Sequence, residues 1–421
     1  MPHYHIWTFG CQMNKAESER LASVFQEQGY RATAAAEEAD IIVVNSCVVR
    51  QSAEDRAVNR LNALKPLKKA NPDLILALTG CMVDSNPDQL KRDFPLVDYF
   101  FKPGESPQWL DAAVWEGTAL AERLPASVYL PIIQGCDNFC SYCIVPYRRG
   151  RERSRPVDEI SCQTREMVSR GAREIILLGQ NVDSYGHDLP GKPELADLLG
   201  ELNDIQGLAR LRFLTNHPKD MSNRLIEAVA GLDKVCEQIT LPVQSGDDEI
   251  LKLMKRGYTA DDYRRLIAKT RNGIPGVALS TDVIVGFPTE TEEQFLNTYR
   301  LLSELQFDTV HTAVYSPRSG TAAASELEDN VPAAEKKRRL RAVEELLEKI
   351  STEINSRLMG RTVEILVEGR KKGKWRGRTR SDKLVFFRDD ENRLGQLVNI
   401  RITETGAWSL QGYIEPDEEP E

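Results

Sequence analysis

Cys136, Cys140 and Cys143 are spaced C-x3-C-x2-C and directly follow the apolar run Val128–Ile133. Three thiolates on one short loop can bind three irons of a 4Fe-4S cluster, which normally takes four cysteines. The missing fourth ligand is informative. A metal position that the protein leaves open is where a substrate or cofactor binds, as in catalytic zinc sites. Tyr142, an aromatic just before the last cysteine, belongs to the same pattern. The competing reading is a zinc site with a distant fourth ligand. Zinc sites usually bring two cysteine pairs, and no second pair lies nearby.

A second set is dispersed. Cys11, Cys47 and Cys81 each follow a strand-like run within a few residues: Ile6–Phe9, Ile41–Val44 and Leu74–Leu78. In an open parallel sheet the carboxyl ends of neighbouring strands face one crevice, so the three thiols can converge there. Free cysteine also packs well as a small apolar residue. Core cysteines belong within strands or on apolar helix faces, however, and these sit in loops beside Gly10, Asn45 and Gly80. A second cluster with its own open iron is expected. Cys162 and Cys236 lack such settings and are expected to be structural.

The elements that must position these residues fall into three sections, expected at residues 1–122, 123–358 and 359–421. In the first, strand-like runs alternate with helical patterns at Asn14–Gln28 and about Arg50–Lys65, which implies a parallel sheet with helices on its faces. The second repeats the alternation six times. Its strand candidates are Val128–Ile133, Glu174–Leu178, Arg210–Leu214, Gln238–Val243, Leu279–Val285 and Thr309–Tyr315. Helices such as Pro156–Arg170, Asp261–Arg271 and Glu292–Leu305 separate them. Six such units can curl into a partial (β/α)6 barrel, a shortened relative of the eight-fold one. A charged helix at about Ala333–Leu358 leads out. The third section carries short β-rich runs at Thr362–Val367, Leu384–Phe387, Gln396–Ile402 and Trp408–Ile414. These predict a small antiparallel β-barrel of the oligonucleotide-binding kind, followed by the acidic tail Glu415–Glu421. The fold class is therefore α/β with an added small β-barrel.

Of the 421 residues, 41% are hydrophobic and 28% charged, which is ordinary globular material. No run of eighteen apolar residues occurs, so no membrane-spanning helix is expected. The first residues lack a basic start and an apolar core, so a cytoplasmic location is expected. In that reducing setting cysteines point to metal or catalysis rather than disulfides. The net charge of −9 does not announce a nucleic-acid binder. Its distribution does. Seven basic and no acidic residues occupy 370–380, and five arginines against Glu152 occupy 148–155. Either run alone reads as a solvated surface. Two in an acidic chain point to a phosphate-binding face.

The cysteine triplet at the end of the first barrel strand resembles that of the radical-SAM superfamily. The resemblance implies that S-adenosylmethionine (SAM) chelates the open iron, and that its cleavage yields a 5′-deoxyadenosyl radical. Barrels keep their active sites at strand carboxyl ends. Here those ends read Leu178-Gly179-Gln180-Asn181, Thr215-Asn216-His217-Pro218, Pro242-Val243-Gln244-Ser245-Gly246, Asp282–Pro288 and Tyr315–Arg318. Taken singly, each is an ordinary turn. As a set around one mouth they offer Gly179, Gln180, Asn181, Gln244, Ser245, Asp282 and Tyr315 for SAM.

Gly10-Cys11-Gln12-Met13-Asn14, Asn45-Ser46-Cys47 with Arg50, and Thr79-Gly80-Cys81 resemble the N-terminal domain of the radical-SAM methylthiotransferases. The C-terminal barrel looks like their TRAM domain, an RNA-binding module. Arg151–Pro156, Leu177–Val182 with Ser184-Tyr185-Gly186, and Leu241–Gly246 are most similar to the branch acting on N6-isopentenyladenosine of tRNA. That resemblance implies two 4Fe-4S clusters, with SAM on one and a methylated sulfur on the other. It also implies a methylthio group inserted at C2 of the adenosine at position 37, next to the anticodon. Catalytic residues beyond the cluster ligands are not indicated. Arg148 stands where threonine is usual in the family, Asn216 where serine is usual, and Thr240 where histidine is usual.

The partners expected are a tRNA anticodon stem-loop, an electron donor and a sulfur source, with the chain a monomer. Arg149, Arg151, Arg153 and Arg155 are expected to hold phosphates. Lys372, Lys374, Arg376 and Arg378 are expected to do the same around Trp375, read as a base-stacking platform. A solvated hairpin with an anchored tryptophan is the plainer alternative. Two alternatives keep the chemistry and change the substrate to N6-threonylcarbamoyladenosine in tRNA or to a ribosomal-protein aspartate. A third is a metal-stabilised RNA-binding protein without catalysis.

Overall fold

The computed structural model describes residues 1–49, 51–83, 87–105, 107, 109–110 and 123–415. Arg50, the tail beyond Glu415 and the residues just before the expected junction at 122/123 lie outside the described residues.

The first sheet contains β1 (His3–Thr8), β2 (Arg31–Ala32), β3 (Ile41–Ser46), β4 (Ile75–Gly80) and β5 (Tyr99–Phe100), ordered β2-β1-β3-β4-β5. Every described pairing in it is parallel. All six residues of β3 are buried, as a central strand covered on both faces requires. Helices α1 (Gln12–Glu27) and α2 (Gln51–Ala63) flank it. The register pairs Thr8 with Asn45 and Ser46 with Gly80, so β1, β3 and β4 end side by side.

The central section has β6 (Ser127–Pro131), a short antiparallel pair β7 (Ile133–Gln134) and β8 (Arg153–Ser154), then β9 (Glu174–Leu178), β10 (Arg210–Phe213), β11 (Gln238–Thr240), β12 (Ala278–Val285) and β13 (Thr309–Val314). They form two three-stranded parallel sheets, β10-β9-β6 and β11-β12-β13. A bridge between Leu211 and Val235 joins them into one open arc. The outer face, with Ile175, Leu177, Leu211, Phe213, Val283 and Val285, packs on surrounding helices in one large core. Helix α1 reaches the strands through Met13 and Ala16, which meet Tyr129, Ile176, Leu178 and Leu214.

β11 ends at Thr240, short of the expected Val243. Pro242 has no N–H to donate to a ladder, and Gln244 takes a left-handed φ of 71°.

After the long helix Ala333–Ser356, a closed barrel of β14 (Thr362–Lys371), β15 (Lys374–Thr379), β16 (Leu384–Phe387), β17 (Leu397–Thr405) and β18 (Leu410–Ile414) completes the described chain. β15 is the strand that the sequence hid inside its basic run. Its inward residues are Trp375, Gly377 and Thr379 and its outward ones Lys374, Arg376 and Arg378. Glycine and threonine do not read as a hydrophobic face, so the alternation was invisible. Lys372 and Gly373 have φ of 51° and 78°, as a two-residue hairpin turn between β14 and β15 requires.

Candidate active site and the two cysteine sets

The loop bearing Cys136, Cys140 and Cys143 is held by the carboxyl ends of several strands. Gly135 N–H donates to Gln180 Oε1 at 2.6 Å. Asn138 Nδ2 donates to Asp220 Oδ2 at 3.4 Å, and Lys219 Nζ donates to Asn138 Oδ1 at 2.8 Å. Ser141 donates from its backbone to Met254 O and from its hydroxyl to Leu253 O. Its carbonyl accepts from Ala323 N–H. The loops after β9, β10, β11 and β13 thus converge on one cysteine loop at the barrel mouth, where such folds keep their chemistry. Burial pushes the Cys136 thiol up to about 11 and the Cys143 thiol to about 12. A metal ligated here would have to displace those protons, because the thiolate is the ligand.

Around the mouth lie buried polar atoms with no hydrogen-bond partner among the described residues: Asn181 Oδ1, Asn216 Oδ1, His217 Nε2 and Tyr315 OH. Native proteins leave few such groups, and a cluster of them marks where a polar ligand sits. His217 Nδ1 accepts Lys219 N–H at 3.2 Å, which leaves the Nε2 proton facing away from the backbone. Burial, Arg256 and Lys219 depress this imidazole to about 2, so it is neutral. Asp183 accepts from Asn216 Nδ2 at 2.5 Å and from His217 N–H at 2.8 Å. Burial raises it to about 7. Gln244 and Thr215, at two of the strand ends, both hold φ above +70°. For side chains other than glycine this is strained backbone, and strain of this kind collects at functional sites.

The expected SAM residues divide. Asn181 is at the mouth, with Nδ2 donating to Asp220 Oδ2 at 2.8 Å. Gln180 braces the cysteine loop, and Gln244 N–H donates to the Asp282 carbonyl. A Cβ on Gly179 would meet Ile133 Cγ2 at 2.4 Å, so packing against β7 already accounts for that glycine. Tyr315 is buried against Phe287. Ser245 requires correction. It is fully buried, and its hydroxyl meets Thr298 Oγ1 and accepts Asp247 N–H, so it turns away from the mouth.

In the second set Cys47 and Cys81 are neighbours and the loop of Cys11 packs on Cys47 through Gly10, while among the described residues no three such side chains stand close enough together to hold a single metal ion. Cys11 Sγ lies 3.5 Å from Asn14 Oδ1. A Cβ on Gly10 would strike Cys47 Cβ at 2.5 Å, and one on Gly80 would strike Ser46 O at 2.1 Å. Only glycine allows these loops to approach so closely. Asn14 Nδ2 donates to Ser46 O at 2.8 Å and to Asn45 Oδ1 at 3.0 Å, tying α1 to the end of β3. The neighbouring Cys47 thiol, and then burial, raise Cys81 well above its ordinary value.

Arg149 joins the two sets. It lies six residues after Cys143 in sequence, yet its Nε donates to Cys81 Sγ at 3.3 Å. Its other nitrogens donate to Glu17 at 2.6 Å and to Asn14 Oδ1 at 3.1 Å. Burial alone would lower this guanidinium, but Glu17 and the Cys81 and Cys11 sulfurs more than reverse that. The expected phosphate contact at Arg149 is therefore overturned: its side chain is 3% exposed and faces the cysteines. Arg318 makes a second tie, donating to Glu54 and Gln51 on α2 at 2.9 Å each.

Trp375 is corrected as well. It is 6% exposed within the apolar core of the small barrel, and its Nε1–H donates to Asp389 O. It anchors the hairpin and offers no stacking face. Arg378 pairs with Asp382 at 3.0 Å, Arg155 with Glu159 at 2.6 Å, and Lys374 donates to Gln411. Arg151 pairs with Asp137 yet stays 70% exposed. Arg153 and Lys372 are exposed, and Arg376 is half-buried.

A half-barrel with a C-x3-C-x2-C loop at its mouth, an open sheet before it and a small barrel after it is the architecture of a radical-SAM protein with two added modules. Residues 130–302 match the radical SAM superfamily, residues 356–414 the TRAM domain, and residues 3–102 an uncharacterized protein family, UPF0004. Among solved structures, the chain is similar to the radical SAM methyltransferase TsrM of Kitasatospora setae, with TM-score 0.53, 12% identity, and coverage of 89% of this chain and 81% of that one. It is also similar in fold to the cobalamin-dependent SAM radical enzyme OxsB, with TM-score 0.50, 13% identity, and coverage of 83% and 56%. A Dehalococcoides mccartyi protein named tRNA-2-methylthio-N(6)-dimethylallyladenosine synthase is 53% identical, over 98% of this chain and 99% of its own length. Proteins of the same name from Roseiflexus sp. and Chloroflexus aurantiacus are 51% and 49% identical over 99% of this chain, which covers 90% and 92% of them. The chain belongs to the tRNA-2-methylthio-N(6)-dimethylallyladenosine synthase family.

The sequence reading missed Arg256, Asp183 and Glu17 as parts of the site. Arg256 carried no spacing signal, and a lone glutamate on an amphipathic helix reads as surface. Asn14 stood inside a quoted motif, and that was its only mark.

Proposed function

We propose that the chain replaces the C2 hydrogen of N6-isopentenyladenosine at position 37 of tRNA, next to the anticodon, with a methylthio group. The observation that supports this reading is Arg149, six residues after Cys143, whose Nε donates to Cys81 Sγ at 3.3 Å and so links the neighbourhoods of the two cysteine sets. A reaction that must both activate SAM and present sulfur needs two such places.

The residues we assign to iron are Cys136, Cys140 and Cys143 for a SAM-side 4Fe-4S cluster, and Cys11, Cys47 and Cys81 for an auxiliary one. Bound there, such clusters supply the electron that opens SAM and a soft site for sulfur. The chain's own contribution is placement. Gln180 and Asn138 fix the cysteine loop. Asn181, Asn216, His217 and Tyr315 offer unpaired polar atoms to the polar ends of SAM or to the adenosine. The neutral His217 presents a donor without adding charge. Residues 1–122, 123–358 and 359–421 then divide the labour among sulfur, radical and RNA.

For RNA we assign Arg151, Arg153 and Lys372 first, then Lys374, Arg376, Arg378 and Arg155, which already have protein partners or partial cover. Among the aromatic side chains of the small barrel, Trp408 at 61% and Tyr413 at 52% exposure replace Trp375 as stacking surfaces. A reductant and a sulfur source come from outside, and the chain acts in the cytoplasm as a monomer. No described helix is long and apolar enough to cross a membrane.

The test is anaerobic. Protein reconstituted with iron and sulfide is given SAM, a reductant and isopentenylated tRNA, and the digested nucleosides are weighed by mass spectrometry. A methylthio nucleoside with 5′-deoxyadenosine beside it is expected. 5′-Deoxyadenosine without modified tRNA would redirect the substrate to threonylcarbamoylated tRNA or a ribosomal-protein aspartate. Neither product, from protein carrying both clusters, would refute the enzyme reading.

A further inference from the structure

Each cysteine set is touched by one buried guanidinium. Arg149 donates through Nε to Cys81 Sγ at 3.3 Å. Arg256, 4% exposed, donates through Nη1 to Cys140 Sγ, also at 3.3 Å. Both are fixed by further bonds. Arg256 Nη2 donates to Pro242 O at 2.7 Å and its Nε to Tyr258 OH at 2.9 Å. Arg149 is fixed by Glu17 and Asn14. Arginine does not lose its proton in proteins, so each set receives one permanent positive charge.

The two charges are compensated differently. Arg149 has the Glu17 carboxylate at 2.6 Å. Among the described residues, no carboxylate forms an ion pair or hydrogen bond with Arg256. A buried cation without a counter-ion is costly. A fixed guanidinium with no carboxylate beside it, 3.3 Å from Cys140 Sγ, favours added negative charge on whatever that sulfur holds. Hydrogen bonds to cluster sulfurs and nearby net charge are among the factors that set a cluster's reduction potential. A cation favours the more negative, reduced form.

We propose that Arg256 and Arg149 are paired positioning residues, one for each cysteine set. Each holds one sulfur by a charge-assisted N–H···S bond and raises the reduction potential of the cluster bound there. Arg256 has the larger effect because Glu17 offsets Arg149. This inference rests on the two-cluster reading above.

Two full-length backgrounds separate the sites. One carries Cys11→Ala, Cys47→Ala and Cys81→Ala, and the other Cys136→Ala, Cys140→Ala and Cys143→Ala. Each is reconstituted with iron and sulfide and titrated with dithionite, following the reduced cluster by electron paramagnetic resonance. If a background takes up no iron, the two-cluster reading fails and the pairing of one arginine with each cluster falls with it, a result distinct from a loaded cluster whose potential does not move. In the first background, Arg256→Met is expected to lower the midpoint potential at unchanged iron content. Arg256→Lys is expected to shift it less, because it keeps the charge but cannot keep all three bonds. Arg149→Met is expected to leave it unmoved. In the second background the roles reverse, with a smaller shift. Glu17→Gln is expected to raise the potential there and only there. Unmoved potentials with full iron would overturn the proposal, and so would equal shifts at both sites, which a general loosening of the fold would give. Should a methionine variant fail to load iron, the lysine variant and Glu17→Gln decide by the same criteria.

Discussion

At single residues the structure separates chemistry from packing. Cys140→Ala is expected to abolish 5′-deoxyadenosine formation. Cys47→Ala is expected to block sulfur insertion while some SAM cleavage survives, read by chromatography of both products. If Cys47→Ala protein still methylthiolated tRNA, the assignment of two cysteine sets would fall. Asp183 gives a second handle. Burial lifts it from 3.8 to about 7, so between those values the folded chain keeps a proton that the unfolded chain has released. Stability therefore falls as pH rises through that window and levels off above it. Asp183→Asn resembles the protonated form and lacks this slope. Its melting temperature relative to the parent is expected to rise between roughly pH 4 and pH 7 and to stay constant above, and a constant difference throughout would contradict the raised carboxyl. The placement of Cys11, Cys47, Cys81 and Cys136 just after strands was legible from the sequence, because each follows an apolar run that forms one. Arg149 and Trp375 were misread because charge and aromaticity in a sequence do not reveal which way a side chain turns. Arg149 sits in an arginine run, yet its bonds lead inward to Glu17 and Cys81.

At the level of elements, strand ends and caps do the positioning. Gly80 closes β4 at φ 92°, with Ser46 O where a Cβ would stand. If each set holds a cluster as proposed, Gly80→Ala is expected to lower iron per chain by the share of the Cys11, Cys47 and Cys81 set alone. The helix Ala260–Gly273 begins with a capping box between Thr259 and Asp262. Thr259→Ala is expected to lower unfolding free energy by about 1 kcal/mol without changing iron content. The alternation of apolar runs and helical periods made these elements visible in the sequence. Where β11 stopped early and β15 was missed, the cause was local. A proline and a left-handed glutamine ended one, and glycine and threonine masked the inward face of the other.

For the whole molecule, the small barrel is locked to the half-barrel by buried charge. Arg212 pairs with Glu174 at 2.8 Å, both nearly fully buried. It also donates to the carbonyls of Thr379 and Arg380. Arg212→Met leaves Glu174 buried without its partner and is expected to cost roughly 3–5 kcal/mol, seen in denaturant unfolding. The exposed cations predict a different signature. Lys372→Ala is expected to weaken tRNA binding at low salt and to reduce the slope of log affinity against log salt by about one. An unchanged slope would remove Lys372 from the RNA face. None of this docking was legible in the sequence, because its partners lie more than a hundred residues apart.

That docking has a consequence for exchange of parts. Arg210 takes the carbonyls of Arg378 and Glu364, and Arg212 those of Thr379 and Arg380. Side chains are part of that grip as well: Arg210 pairs with the Glu364 carboxylate at 2.9 Å, Arg380 with Glu237 at 2.7 Å and Lys383 with Asp308 at 2.6 Å. The attachment is therefore keyed by charge. A related barrel grafted at the Ser356–Thr362 join would seat on the same two arginines only if it carried the matching glutamate, arginine and lysine with it.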